Sequence, residues 1–212
     1  MRGKLESLFP PALFVLATAM LLRGTWARGS DGDLLGALVL LAYLGWLVLE
    51  IRITFQGATE ETSSGDRGSL QLYGMSRMVV LGTLVTLTPV WDGWSPLRVL
   101  AAAAFLAGVV LRLGSIHQLG RFYSHRVRTV AEHRIVRTGP YRVLRHPSYA
   151  GMVLAHLGVV LVLLNPVSPV LFAALMVPAI IWRILVEEET LMRLDAYPAY
   201  AAGRPRLIPA VW

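Results

Sequence analysis

The sequence predicts an all-α integral membrane protein of five to six transmembrane helices that ends in a C-terminal helical hairpin. Three observations carry that expectation. The 212-residue chain is 55% hydrophobic and 16% charged with a mean hydropathy of +0.58, outside the range of soluble globular domains. Its apolar residues are gathered into runs as long as a bilayer core is thick. Its cations are distributed very unevenly between the alternate loops those runs define.

The runs fall at about 10–27, 33–51, 74–91 and 97–116, each bounded by charge, Gly or Pro, and predict four helices. A fifth at 149–164 and a sixth at 169–186 are separated only by Asn165-Pro166-Val167-Ser168-Pro169, which leaves room for a tight helical hairpin. The fifth is near the lower length limit for a span, so the last two could instead cross at an angle; hence five or six. The first run follows Arg2 and Lys4 and has no small-x-small cleavage site, which predicts an uncleaved anchor. The polar Gly/Ser-rich stretch Gln56 to Ser69 is expected to be a mobile loop. Pro178, inside the last run, predicts a kink. Functionally the chain divides into N-terminal transmembrane helices, 1–116, and a C-terminal region, 117–212, containing loop, hairpin and tail.

Of the 20 Lys and Arg residues, 17 lie on one side of this topology; Arg23, Arg28 and Arg98 lie on the other. That asymmetry predicts cytoplasmic termini and a cytoplasmic loop between the fourth and fifth runs. The net charge of +7 is mostly arginine beside apolar segments, where anionic lipid explains it and nucleic acid need not be invoked. Cysteine is absent, which excludes a thiol nucleophile and cysteine-ligated metal. No His or acidic pair stands at metal-ligand spacing within one element, so no metal is expected.

Chemistry concentrates in Glu132 to Gly151, EHRIVRTGPYRVLRHPSYAG, where arginines, histidines and tyrosines crowd between two membrane-grade segments. Half-burying such groups at a bilayer edge is costly unless they meet a polar ligand, a headgroup or one another. A ligand is the reading adopted here. Arg121, Arg126, Arg128, Arg137 and Arg142 read instead as a positive-inside, headgroup-binding collar, and Trp91, Trp94, Tyr197, Tyr200 and Trp212 as an interfacial aromatic belt. Pro147 biases His146 away from helix, so the next helix is expected to begin around Ser148, with Ser148 as its cap. Arg183 and Glu187 stand four apart and share one helix face. His117 and His125 read as interfacial or structural, and His156, within the fifth run, needs a partner: a neighbouring helix or an acceptor tunnel.

The series His133, Gly139-Pro140-Tyr141, Arg145-His146-Pro147-Ser148-Tyr149 with Gly151, followed after one hairpin by Arg183, Glu187-Glu188 and Leu191, resembles the isoprenylcysteine carboxyl methyltransferase family. The membrane phospholipid methyltransferases are relatives of that family. The resemblance covers roughly residues 115–212, and RHPSYAG together with EExxL at this spacing is its specific part. It implies S-adenosylmethionine as cofactor, held between the cytoplasmic loop and the end of the last helix. Implied contacts are His133, Arg134, Ile135 and Val136 along the adenosine and Gly139 at a turn that admits the ligand. Tyr141, His146, Pro147, Ser148 and Tyr149 follow in the loop and next helix, and Glu187 and Glu188 face the donor's positive groups. It implies that Glu187 and Arg183 are catalytic, the arginine holding an acceptor carboxylate. The tail Arg193 to Tyr200 keeps the family's tyrosine spacing without its run of aromatics and acids, whereas the close Arg206-Leu207-Ile208-Pro209 is similar.

A membrane-embedded enzyme joining a soluble donor to a lipidic or small hydrophobic acceptor is the expected function, with membrane lipids as surroundings and no obligate protein partner. An isoprenylcysteine-like carboxylate is the favoured acceptor because of Arg183. A phospholipid amine or small thiol, an NADPH-dependent sterol-reductase-like enzyme and a non-catalytic lipid-binding protein are the alternatives.

Overall fold

The computed structural model describes residues 2–56, 67–120, 123, 135–209 and 212; of the side chains before residue 67, those of 11–50 are described. Every regular element among these residues is helical: α1 (Arg2–Ser30), α2 (Leu34–Gln56), α3 (Ser69–Thr86), α4 (Pro96–Leu119), α5 (Pro147–Val162), α6 (Ser168–Leu191) and the short α7 (Tyr197–Ala201). A single 3-10 turn, Gly139–Arg142, precedes α5. Two helices, Pro96–Leu119 and Ser168–Leu191, are long and apolar enough to cross a membrane, and Leu34–Glu50 and Pro147–Val162 are shorter apolar stretches. Large apolar side chains stand exposed along the helices, among them Val15, Leu49, Leu100, Val110 and Leu185, while the core is shared by α1 to α6. That arrangement suits a lipid surround.

One end of the bundle is tied by a salt bridge. Asp33 caps α2 through Gly36 N at 3.1 Å and receives both hydrogen bonds of Arg98 Nη2 at 2.9 Å. Arg98 also donates from Nε to Val162 O at 3.1 Å and to Gly93 O, so this fully buried guanidinium joins the starts of α2 and α4 to the end of α5. Gly32, at φ 82°, supplies the left-handed turn that brings Asp33 there. Arg28 donates to Leu87 O at 2.7 Å at the same end. Two of the three cations on the sparse side are therefore consumed by internal bonds.

α4 and α5 run antiparallel in the closest packing of the fold. Gly108 lies against the backbone of Ala155 and Gly151, and Gly158 against Phe105 and Ala101. A Cβ at Gly151 would stand 2.6 Å from Arg112 N. Small residues at such contacts let the backbones approach, which is how helices associate without a hydrophobic driving force.

Two local expectations are corrected, and the region of Pro178 gains detail. α3 starts five residues before the apolar run and ends at Thr86, short of Pro89. Its first turns are polar in sequence but bury Ser69, Tyr73, Ser76 and Arg77 against other helices. α5 starts at Pro147, with His146 as N-cap residue and no side-chain cap bond, because a proline at the first helical position needs no donor; Ser148 Oγ accepts from Arg112 instead. Around Pro178 the helix continues through a π segment, Phe172–Met176, in which Val177 N bonds Phe172 O. The wider turn absorbs the missing proline donor. Of the stretch expected to be a mobile loop, residues 57–66 lie outside the described residues.

Candidate functional site

The other end of the bundle holds the polar residues of the motif, fixed by the chain's own tail. Arg145 N and His146 N donate to Pro205 O at 2.9 Å and Arg206 O at 3.0 Å, tying the RHPSY segment to the tail by two backbone bonds. Tyr200 Oη donates to Tyr141 O at 2.9 Å and Leu144 O at 3.2 Å, closing the turn from the other side. Tyr197 and Tyr200 are thus buried props of the loop, a correction to their reading as interfacial belt. Trp91 likewise is tied down, donating to Leu161 O at 3.1 Å. Ile135 packs on the Tyr197, Tyr200, Leu191 and Leu194 cluster.

Glu188 is the hub of this clamp. Its Oε1 takes Arg145 Nη1 at 3.1 Å and His146 Nε2 at 3.2 Å, and its Oε2 takes Arg206 Nε at 2.7 Å. Both oxygens are committed to holding loop, last helix and tail together. Glu187, the next residue and half-buried, points elsewhere: it accepts from Tyr149 Oη at 2.7 Å. One turn back on the same helix, buried Arg183 donates from Nη1 to Ser69 Oγ at 3.1 Å.

A third group of buried charges completes the floor. Arg112 Nε bonds Glu50 Oε1 at 2.8 Å, its Nη1 bonds Ser148 Oγ at 2.5 Å and its Nη2 bonds Tyr123 Oη at 2.8 Å. Glu50 also faces Arg77 Nη1 at 3.9 Å. Arg77 Nε donates to Tyr43 Oη at 2.6 Å, and Tyr43 in turn stands 2.8 Å from His156 Nε2, whose Nδ1 is 2.7 Å from Met152 O. His156 therefore serves a neighbouring helix, one of the two roles expected for it.

Burial pushes Tyr123 up to about 12 even though Arg112 beside it acts in the opposite sense. Tyr141 is pushed up further, first by burial and then by the nearby Glu187 charge. Both stay neutral at physiological pH. They can donate a hydrogen bond while offering a ring face to a cation.

Of the residues singled out by sequence, Arg183, Glu187, Tyr149 and Tyr141 converge on one region, with Ser148 on its Arg112 side. His146 and Glu188 belong to the clamp beside it. Pro147 starts α5, and Gly139, at φ 57°, starts the 3-10 turn. Val136 is half-buried. His133 and Arg134 lie outside the described residues, as does His125; His117 is exposed on α4.

Residues 100–193 match the model of the isoprenylcysteine carboxyl methyltransferase (ICMT) family. The matched segment starts inside α4, contains the close α4–α5 packing, the loop and the hairpin, and ends just past α6. Among similar proteins, protein-S-isoprenylcysteine O-methyltransferase B of Arabidopsis thaliana is 33% identical over 110 residues, 50% of this chain and 56% of the relative. Those of Saccharomyces cerevisiae and Schizosaccharomyces pombe are 38% identical over 96 residues (44% of this chain, 40% of the relative) and 34% over 116 (52% and 49%). The chain spans about half the length of the curated relatives it matches.

Glu50, Ser69, Tyr73 and Arg77 fall outside the ICMT segment, and sequence reasoning passed over them as site residues. Loop counting places Arg77 and Arg112 among the 17 cations of the cytoplasmic side, whereas the structure makes both internal partners of Glu50. A signal was present: Glu50, Arg77 and Arg112 each interrupt an apolar run, and charges so placed need one another.

Proposed function

We propose that this chain is an S-adenosylmethionine-dependent membrane methyltransferase that esterifies an isoprenylcysteine-like carboxylate. The observation that carries the proposal is the pairing of Glu187 with Tyr149 beside buried Arg183, inside the ICMT segment whose relatives bear that activity in their names. The bundle is read as multi-pass, with both termini and the active-site loop on the cytoplasmic side, the side to which 17 of 20 cations belong.

The donor set fits the cofactor. A sulfonium, an ammonium and a purine call for acidic and aromatic partners together, and Glu187, Tyr141 and Tyr149 supply them. Ile135 and Val136 give the purine an apolar contact, and the left-handed Gly139 keeps the turn free of a side chain. His133 and Arg134 are assigned to the adenosine, and His146 and Glu188 hold the wall in place. When bound, S-adenosylmethionine supplies an activated methyl group, and its transfer to a carboxylate consumes one positive and one negative charge.

Arg183 holds the acceptor carboxylate with its guanidinium fork, and Ser69 fixes the orientation of that fork. Tyr149 keeps Glu187 turned toward the donor's cationic side. An ionised carboxylate needs no general base, so orientation and exclusion of water are the work left to the protein. A lipid-embedded bundle with a soluble-facing loop brings a water-soluble donor and a membrane-bound acceptor to one interface.

Membranes containing the protein, incubated with methyl-labelled S-adenosylmethionine and extracted, should yield lipidic label released as methanol by base. Label stable to base would mean an amine or thiol product, and no transfer with no binding of S-adenosylhomocysteine would overturn the reading.

A further inference from the structure

α3 carries Ser69, Tyr73 and Arg77 at successive turns of one buried face. The stripe leads from the Arg183 site into the bundle. At its head Ser69 meets Arg183; at its foot Arg77 meets Tyr43 and Glu50. Between them Tyr73 lies within electrostatic reach of Arg77, Glu50, Arg112 and Arg183 at once.

Two donors on this stripe are buried without a hydrogen-bond partner among the described residues: Tyr73 Oη and Arg77 Nη2. A third, Trp46 Nε1, belongs to the ring that Arg77 covers at 5.0 Å. Buried donors left unmet are costly, and native structures rarely keep several together without an acceptor. Charge points the same way. Glu50 is held by Arg112 at 2.8 Å and stands 3.9 Å from Arg77, so among the described residues one carboxylate stands beside two guanidinium groups. The missing partner is an acceptor of hydrogen bonds bearing negative charge.

We propose that Tyr73 and Arg77, one turn and two turns beyond Ser69 on α3, complete with Arg183 a single site for the acid group of the lipidic acceptor and set its selectivity for acids over neutral heads. This rests on the methyltransferase reading above. The two residues are specificity determinants from α3, outside the matched segment, working with Arg183 inside it. An incoming carboxylate meets the Tyr73 hydroxyl and the free edge of Arg77, while Tyr43 and Trp46 keep that guanidinium oriented. A neutral amide would leave the excess positive charge unanswered.

The test is isothermal titration of the full-length protein in lipid nanodiscs with N-acetyl-S-farnesylcysteine, its carboxamide and S-adenosylhomocysteine, for wild type, Tyr73→Phe and Arg77→Met. The expected result is acid bound at least ~10-fold more tightly than carboxamide by wild type, consistent with a charged hydrogen bond. Tyr73→Phe should lose part of that preference and Arg77→Met nearly all, with S-adenosylhomocysteine affinity unchanged in both. Tyr73→Phe keeps the test decisive if loss of Arg77 prevents folding, because the Tyr73 hydroxyl bonds no described residue. Equal binding of acid and carboxamide by wild type, or full preference retained in Tyr73→Phe, would overturn the site while leaving the methyltransferase reading intact if S-adenosylhomocysteine still binds. Failure of S-adenosylhomocysteine to bind wild type would remove both.

Discussion

The hydroxyl of Tyr149 donates to Glu187 Oε2 at 2.7 Å, joining the start of α5 to the end of α6 across the candidate site. The bond fixes which way Glu187 faces, and its neighbour Glu188 faces the opposite way, into the tail clamp. Glu187→Gln keeps the shape but removes the charge offered to a cationic ligand. A hydrogen bond to a charged group contributes about 1.5–3 kcal/mol, so S-adenosylmethionine should bind roughly 10- to 100-fold more weakly. Tyr149→Phe, which leaves the charge and frees its direction, should cost less affinity and more turnover. Titration calorimetry with single-turnover kinetics separates the two; unchanged affinity in Glu187→Gln would remove Glu187 from the cofactor site.

Glu188 should behave as a stability residue. Its two oxygens bind Arg145, His146 and Arg206, and its side chain is 5% exposed, whereas that of Arg206 is 30% exposed. Breaking a buried pair by removing one partner costs about 3–5 kcal/mol, and the partial exposure of Arg206 places the expected loss near the lower end. Glu188→Ala should therefore lower the unfolding midpoint clearly, while Glu187→Ala should move it little. Thermal unfolding in detergent, followed by tryptophan fluorescence, compares the neighbours directly. Equal midpoints for the two variants would show that the clamp does not hold the tail.

What the sequence made legible was the part governed by local rules. Apolar run length located the helices, and Asn165-Pro166-Val167-Ser168-Pro169 marked the turn of the hairpin, whereas the third run was carried past Pro89. Arg183 and Glu187 were paired by helical spacing alone. The misses are long-range. Nothing local tells that Ser69, in a polar stretch, will be buried against Arg183, or that Tyr200 will prop the backbone of Tyr141 from 59 residues away. The Glu50–Arg112 pair spans 62 residues, and each member alone resembles a charge at a helix end. Positive-inside counting treats all arginines alike, so it could not separate Arg77 and Arg112, which are internal partners, from arginines that face headgroups.

The α4–α5 contact predicts intolerance of a single methyl group. At Gly151 an added Cβ would meet Arg112 N at 2.6 Å, and backbone cannot step aside as a flexible side chain would. Gly151→Ala should separate the two helices and cost about 1–3 kcal/mol, the usual penalty of overpacking. The shift should also lengthen the Arg112 bond to Ser148, three residues before the contact. Unfolding midpoints and S-adenosylhomocysteine affinity should fall together in this variant. Gly114→Ala, on the facing helix α4 but with open space at its Cβ, is the control expected to change neither.

Alkaline titration of the tyrosines tests the electrostatics of the loop. Tyr123 is pushed up to about 12 and Tyr141, Tyr197 and Tyr200 are also raised, burial being the largest cause in each case. In the unfolded chain the same hydroxyls release their protons near pH ~10. Between that value and about 12 the folded protein therefore holds protons that the unfolded chain has lost. Unfolding stability must then fall as pH rises through this window: the contribution is complete below the unfolded value and vanishes above the folded one. Absorbance at about 295 nm, where tyrosinate differs from tyrosine, should show Tyr123, Tyr141 and Tyr197 still protonated at pH ~11 in the native protein and ionised in denaturant, with Tyr200 raised in the same direction. The loop and tail should loosen as they ionise, because Tyr200 Oη can no longer donate to Tyr141 O and Leu144 O. Simultaneous ionisation of all tyrosines near pH ~10 in the folded protein would show that Tyr123 and Tyr141 are not buried as described.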